Sequence, residues 1–292
     1  MKIIDMRLRP PLKSWVTTAQ FTEGTAYYPT RVGFPRPKSV KTQAMQDLLD
    51  EMDEARITWG VIMGRQSAPP HGAVPNDEIS EAINQHPQRF VGLAGIDLRD
   101  IERGVGEIER TSKIKGYVGA SIEPGATFEA MYADDRRLYP LYEKCQELDL
   151  PMSITLSGYL ASMVGHDLSY GSPTPVFKVA KDFPKLKIIV SHAAWPNIMP
   201  MMEVAFIREN VYVSPDLYMN GINTPGAHEY IKAAKFFLGD RLLFGTAYPS
   251  RPLKESVDAF LEWDLSAELQ EKILYRNAAR LLRIDKVIDH DH

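Results

Sequence analysis

The chain has 292 residues, 44% of them apolar and 25% charged, with a formal net charge of −4. That composition excludes a disordered or fibrous chain, the lack of a basic stripe excludes a nucleic-acid surface, and no run approaches the roughly 20 apolar residues of a membrane span. A lone Cys145 excludes an internal disulfide and a cysteine-based zinc site, and the opening MKIIDM carries no long apolar leader, so the expectation is a soluble, cytoplasmic protein that binds neither nucleic acid nor membrane.

In chain order, short β-branched runs alternate with amphipathic stretches. Lys2–Met6 reads as the first strand, followed by a helical pattern over Thr42–Ala55. Trp59–Met63 precedes Asp77–His86, Phe90–Ile96 precedes Ile101–Thr111, and Gly116–Ile122 precedes Leu138–Leu148. Met152–Leu156 precedes Val176–Asp182, Lys187–Val190 precedes Ile198–Ile207, Val211–Ser214 precedes Ala227–Phe237, and Leu242–Phe244 precedes Leu253–Trp263. A last amphipathic stretch, Ala267–Leu282, closes the chain.

Apolar strands alternating with helices predict a parallel sheet covered on both faces. Eight cycles in this length predict an α/β fold, a single (β/α)8 TIM barrel over residues 1–284 with a C-terminal helix, and a solvated tail over 285–292. A doubly wound sheet is the competitor, but Arg7-Leu8-Arg9-Pro10-Pro11 follows the first strand where such a fold often has a Gly-rich turn. The long loop after strand one, Pro10–Lys41, reads either as a lid over the catalytic face or as an arm against a second subunit.

Chemistry in such a barrel sits at the carboxyl ends of the strands. There the sequence has Asp5-Met-Arg-Leu-Arg-Pro10, Pro87 to Asp97, Asp135 to Cys145, Ser191-His-Ala-Ala-Trp-Pro196 and Leu243-Phe-Gly-Thr-Ala-Tyr-Pro249. This ordered set resembles the amidohydrolase-related family of the amidohydrolase superfamily, the branch that contains aminocarboxymuconate-semialdehyde decarboxylase with related decarboxylases, hydratases and lactonases. The resemblance runs from Lys2 to about Leu282. It implies an enzyme, hydrolase or carboxy-lyase, that acts on small carboxylates and forms dimers.

The family's usual metal ligands have changed. Its His-x-His after strand one corresponds to Arg7 and Arg9, its strand-eight Asp to Ala247 and its strand-five His to Thr155. Only the strand-six histidine persists, as His192. A guanidinium has no lone pair to offer an ion, and a catalytic zinc normally takes three protein ligands. The expectation is therefore no metal cofactor. A reorganised metal site using His192 with Glu123 or Asp216 is the competing possibility.

Guanidinium groups suit carboxylates, so Arg7, Arg9 and Arg65 are expected to bind substrate, with Thr155, Trp195, Tyr218 and Tyr248 lining the site. Arg7 and Arg9, two residues apart, point the same way if strand geometry continues. Tyr159 is a further aromatic on a strand-end loop. His192, with Glu123 and Asp216, is expected to move the proton. A serine-hydrolase role for Ser157 finds no nucleophile-elbow pattern. These residues predict a hydrolase or lyase, lactonase-like or decarboxylase-like, working without a metal. The alternative is a barrel that has lost catalysis and binds a small acid as a sensor.

Overall fold

The computed structural model describes residues 1–22, 35–221 and 223–284; the expected tail 285–292 and residues 23–34 of the long loop lie outside the described residues. Seven parallel strands run in sequence order, β1 (Ile4–Leu8), β2 (Trp59–Met63), β3 (Phe90–Gly95), β4 (Tyr117–Ile122), β5 (Met152–Thr155), β6 (Ile188–Ser191) and β7 (Val211–Ser214). The expected eighth strand, Leu242–Phe244, forms no regular ladder, yet it joins both ends of the sheet. Val213 bridges Leu242 and Leu8 bridges Tyr248, both in the parallel sense. The Leu243 N–H donates to the Val213 carbonyl and the Met6 N–H to the Phe244 carbonyl, each at 2.9 Å. Ala247, with φ of 58°, breaks the extended geometry between the Phe244 and Tyr248 contacts. The fold is a (β/α)8 barrel.

The helices fall close to the periodic stretches, for example Asn76–Gln85, Ile101–Ser112 and Ile198–Ile207. The Ile101–Ser112 helix starts where Asp100 caps it by accepting from the Arg103 N–H. The long stretch Ala267–Leu282 is helical throughout but passes through one wider turn at Lys272–Arg276. Two short helices escaped the periodicity, Lys38–Thr42 and Gly158–Met163, since five or six residues are too few to display a face.

The barrel interior divides into two halves. At the amino ends of the strands Ile4, Met6, Trp59, Val61, Met63, Val91, Leu93, Val118, Ile189 and Leu243 form one apolar cluster, plugged by Ala278, Ala279, Leu281 and Leu282 of the last helix. Along β2 the inward period of Trp59, Val61 and Met63 continues to Arg65. In β1 the register shifts between Asp5 and Leu8, so that Met6 packs in the apolar cluster while Arg7 reaches across the mouth above it. Among the described residues no helix is long and apolar enough to cross a membrane.

Candidate active site

The floor of the mouth is a buried ion network. Glu123, at the end of β4, accepts from Arg65 Nε at 2.7 Å and Nη2 at 2.9 Å, from Arg7 Nη2 at 3.0 Å and from Ser67 Oγ at 2.6 Å. Burial by itself would raise this carboxyl, but Arg65 and Arg7 outweigh it and hold Glu123 well below the usual carboxylate range. Arg7 also donates to Thr155 Oγ1 at 3.3 Å and lies 3.7 Å from Asp216 Oδ2. Below it, Asp5 accepts from the Arg7 N–H and from both the N–H and Oγ1 of Thr246, while burial pushes its carboxyl up to about 7. The five charged side chains Arg7, Arg9, Arg65, Glu123 and Asp216 are all buried.

The second layer follows β6 and β7. Asp216 Oδ2 accepts the His192 N–H at 3.0 Å, and Oδ1 accepts from Ser214 Oγ at 2.6 Å. Gly245 makes room for this carboxylate: a Cβ there would stand 2.7 Å from Asp216 Oδ1. The His192 ring brings Nδ1 within 3.1 Å of Asp216 Oδ2, close enough for attraction but off the line of a straight hydrogen bond. Burial, with Arg7 second in the same direction, lowers His192 to about 4 despite that carboxylate. The imidazole is therefore neutral at pH 7, and the acid beside Nδ1 favours the hydrogen there, leaving a lone pair on Nε2.

Three strand ends at this mouth carry left-handed backbone on residues other than glycine. His192, Ala193 and Ala194 have φ of 62°, 47° and 55°, Asp216 has 55° and Ala247 has 58°. Each such residue costs about 1–2 kcal/mol, and strain of this kind concentrates where a site holds its groups in place.

Arg9 completes the set. It is wholly within the mouth, makes no ion pair among the described residues, and its Nε has no hydrogen-bond partner. The Trp15 ring has Arg9 and Arg65 each 5.6 Å from its centroid. Burial, and then the Arg7 and Arg65 charges, push Arg9 well down; a delocalised guanidinium starts so high that it stays a cation at neutral pH. Three guanidiniums thus face two carboxylates, and the cation left over lines a cleft at the barrel mouth. His192, Tyr218, Arg65 and Tyr159 share that cleft.

The expected site residues divide between cleft wall and support. Arg9, Arg65, His192 and Tyr218 line the cleft; Arg7, Glu123, Asp216 and Thr155 lie behind them and fix their positions. Trp195 stacks on Tyr218 at 4.5 Å and donates through Nε1 to the Pro225 carbonyl, so it backs the wall. Tyr248 is farther removed, with its hydroxyl 2.5 Å from Ser39 Oγ, tying the Lys38–Thr42 helix to the end of the eighth segment. Gln20, Arg36 and His71 also line the cleft and were not anticipated. His71 lies six residues past Arg65, in a loop after β2 where a strand-end reading stops too early. Gln20 and Arg36 belong to the long loop, whose described part folds over the mouth.

Comparison with known proteins fits this geometry. The chain matches the amidohydrolase family over residues 4–284. It belongs to that family. It is thus an enzyme of the amidohydrolase superfamily. A solved TIM-barrel protein of Bordetella bronchiseptica is 35% identical, with a TM-score of 0.90 over 97% of this chain and 99% of that one. A gamma-resorcylate decarboxylase of Polaromonas is 25% identical over 248 residues, covering 72% of this chain and 76% of the relative. A dihydroxybenzoic acid decarboxylase of Polaromonas, 19% identical with a TM-score of 0.68 and 98% of both chains covered, was crystallised with manganese and 2-nitroresorcinol.

That last structure corrects the expectation of no metal cofactor, because a decarboxylase of this fold does hold manganese. The side chains present here do not fit such an ion. Arg7 and Arg9 lack lone pairs, and among the described residues no group of three or more His, Cys, Asp or Glu is placed to hold one.

Proposed function

We propose that this enzyme is a carboxy-lyase that releases CO2 from a small carboxylated acid bound at Arg9. The observation that carries the reading is Arg9 itself, a buried guanidinium at the cleft wall that forms no ion pair among the described residues. A ligand carboxylate supplies the missing charge with charge-assisted hydrogen bonds. The decarboxylases among the relatives support loss of CO2 as the reaction. A proton leaves a hydroxyl of the bound acid for His192 Nε2 and is then delivered to the carbon that bears the carboxylate. The carbon–carbon bond breaks, its electron pair passes through the conjugated frame to the oxygen, and CO2 departs. Asp216 holds the imidazole for both transfers, and the negative charge of the ligand offsets the repulsion of Arg7 and Arg9 while the ring is protonated.

Lactone hydrolysis is the second reading, favoured by the same base-ready imidazole, which would take a proton from the attacking water. The dimer expected from the family resemblance belongs to this proposal and is checked by sedimentation. The deciding experiment incubates the purified protein, its metal content measured alongside, with hydroxybenzoic acids, dicarboxylates and lactones. The expected result is CO2 release from an acid, reduced by a factor of about 10²–10⁴ in His192→Gln. Lactone opening without CO2 would install the second reading, and binding with neither reaction would leave a sensor.

A further inference from the structure

The cleft carries an unused acceptor. His71 is fully buried in the loop closed by the antiparallel bridge of Gln66 with Ala73, and its Nε2 lies 3.0 Å from the Leu160 carbonyl. A carbonyl only accepts, so Nε2 carries the hydrogen of the neutral ring and Nδ1 keeps a bare lone pair. Among the described residues nothing hydrogen-bonds to that Nδ1, and Gln20 Oε1 on the same cleft is equally unpartnered. Buried acceptors are normally satisfied, and an exception calls for a reason. The same cleft holds two buried unpartnered donors, Arg65 Nη1 and Arg9 Nε. A plain carboxylate satisfies the donors and leaves His71 bare. An acid that also carries a hydrogen-bond donor satisfies both sides.

We propose that His71 is a specificity-determining residue whose Nδ1 accepts a hydrogen bond from a hydroxyl or amino group of the ligand, while Arg9 and Arg65 hold the ligand's carboxylate. The proposal rests on the acid-binding reading above and adds to it the residue that reads the ligand's second polar group. Burial, and then the Arg65 charge, lower His71 to about 4, which keeps the acceptor available across the neutral range.

The test is calorimetric binding of benzoate, 2- and 3-hydroxybenzoate and 3-aminobenzoate to the whole protein. At least one donor-bearing acid should bind ten times more tightly than benzoate or better, the amino and hydroxyl probes showing which donor is preferred. His71→Phe should bring that ratio to within twofold of unity while benzoate affinity stays within threefold. His71→Asn, whose amide can serve the Leu160 carbonyl and still offer an oxygen, should recover part of the preference. Should His71→Phe fail to fold, the ¹⁵N resonance of Nδ1 in the unaltered protein gives the answer. It should move toward a hydrogen-bonded value with the preferred acid and stay put with benzoate. Equal affinities in the unaltered protein, a preference that survives His71→Phe, or an indifferent Nδ1 resonance overturns the proposal. If none of the acids binds, or if Arg9→Gln leaves benzoate binding intact, the acid-binding reading fails as well.

Discussion

The two halves of the barrel interior are built from the same strands and solve opposite problems. At the amino ends, Ile4, Val61, Leu93 and Ile189 meet the last helix in a dry apolar cluster, where every contact adds stability. At the carboxyl ends stand Arg7, Arg9, Arg65, Glu123, Asp216 and His192, packed almost as deeply. Charges taken out of water are stabilising only when paired and hydrogen-bonded, and here the pairing is incomplete by one guanidinium. Left-handed backbone at His192, Asp216 and Ala247 adds strain to the carboxyl ends. The lower half holds the fold together, and the upper half gives up stability to keep a cation facing a cleft.

Removing the counter-charge from the upper half gives the largest effect. Glu123 is the shared acceptor of Arg7, Arg65 and Ser67. Glu123→Ala strands two buried guanidiniums and should cost about 3–5 kcal/mol, the loss seen when one partner of a buried pair is deleted. Urea unfolding measures it. A loss under 1 kcal/mol would mean that water reaches the network and that the two halves are less different than their burial indicates.

Acidification separates the halves more gently, because the buried apolar cluster of the lower half contains no carboxylate or imidazole. His71 and His192 sit near 4 in the folded chain, against an unfolded value near 6.5. Their depressed values contribute stability that is present above pH 6.5 and lost as the pH falls through 4. Asp5 works the other way: raised to about 7, its contribution is present below pH 3.8 and lost as the pH rises through 7. Two histidines against one aspartate leave the unfolded chain binding about one more proton between pH 4 and 6.5. Stability should therefore fall by about 1.4 kcal/mol per unit as the pH drops through that window. Asp5→Asn removes the opposing group and should steepen the fall, which urea midpoints at pH 5 and 6.5 will report.

The lower half was legible because apolar runs declare themselves: β2 and β7 have the bounds that their apolar runs predict. The eighth strand was legible as a segment but not as a broken ladder, since Ala247 gives no sign in sequence of its left-handed turn. In the upper half, Arg7, Arg65, Glu123, Asp216 and His192 were found because each ends a strand. Their division into wall and support was hidden, for it depends on a register shift within β1. His71 was invisible for another reason: it is placed by a bond to Leu160, 89 residues away, which leaves no local pattern. Tyr248 shows the reverse error, a strand-end aromatic drawn off by Ser39 on the loop that folds back over the mouth.

Arg9 gives the smallest change in stability and the clearest separation of the two roles. Its long apolar stem lies in a buried setting, its charge opposes those of Arg7 and Arg65, and among the described residues no acid forms an ion pair with it. Arg9→Met keeps the volume and removes the like charge, so the folded state should become more stable, by about 1–2 kcal/mol, as buried charges replaced by apolar groups often allow. Benzoate should raise the unfolding midpoint of the unaltered protein by mass action and leave that of Arg9→Met where it is. A more stable variant blind to benzoate assigns Arg9 to binding at the expense of the fold. A destabilised variant that still responds would place Arg9 among the supports, with Arg7 and Glu123, and would move the anion to Arg65 or Arg36.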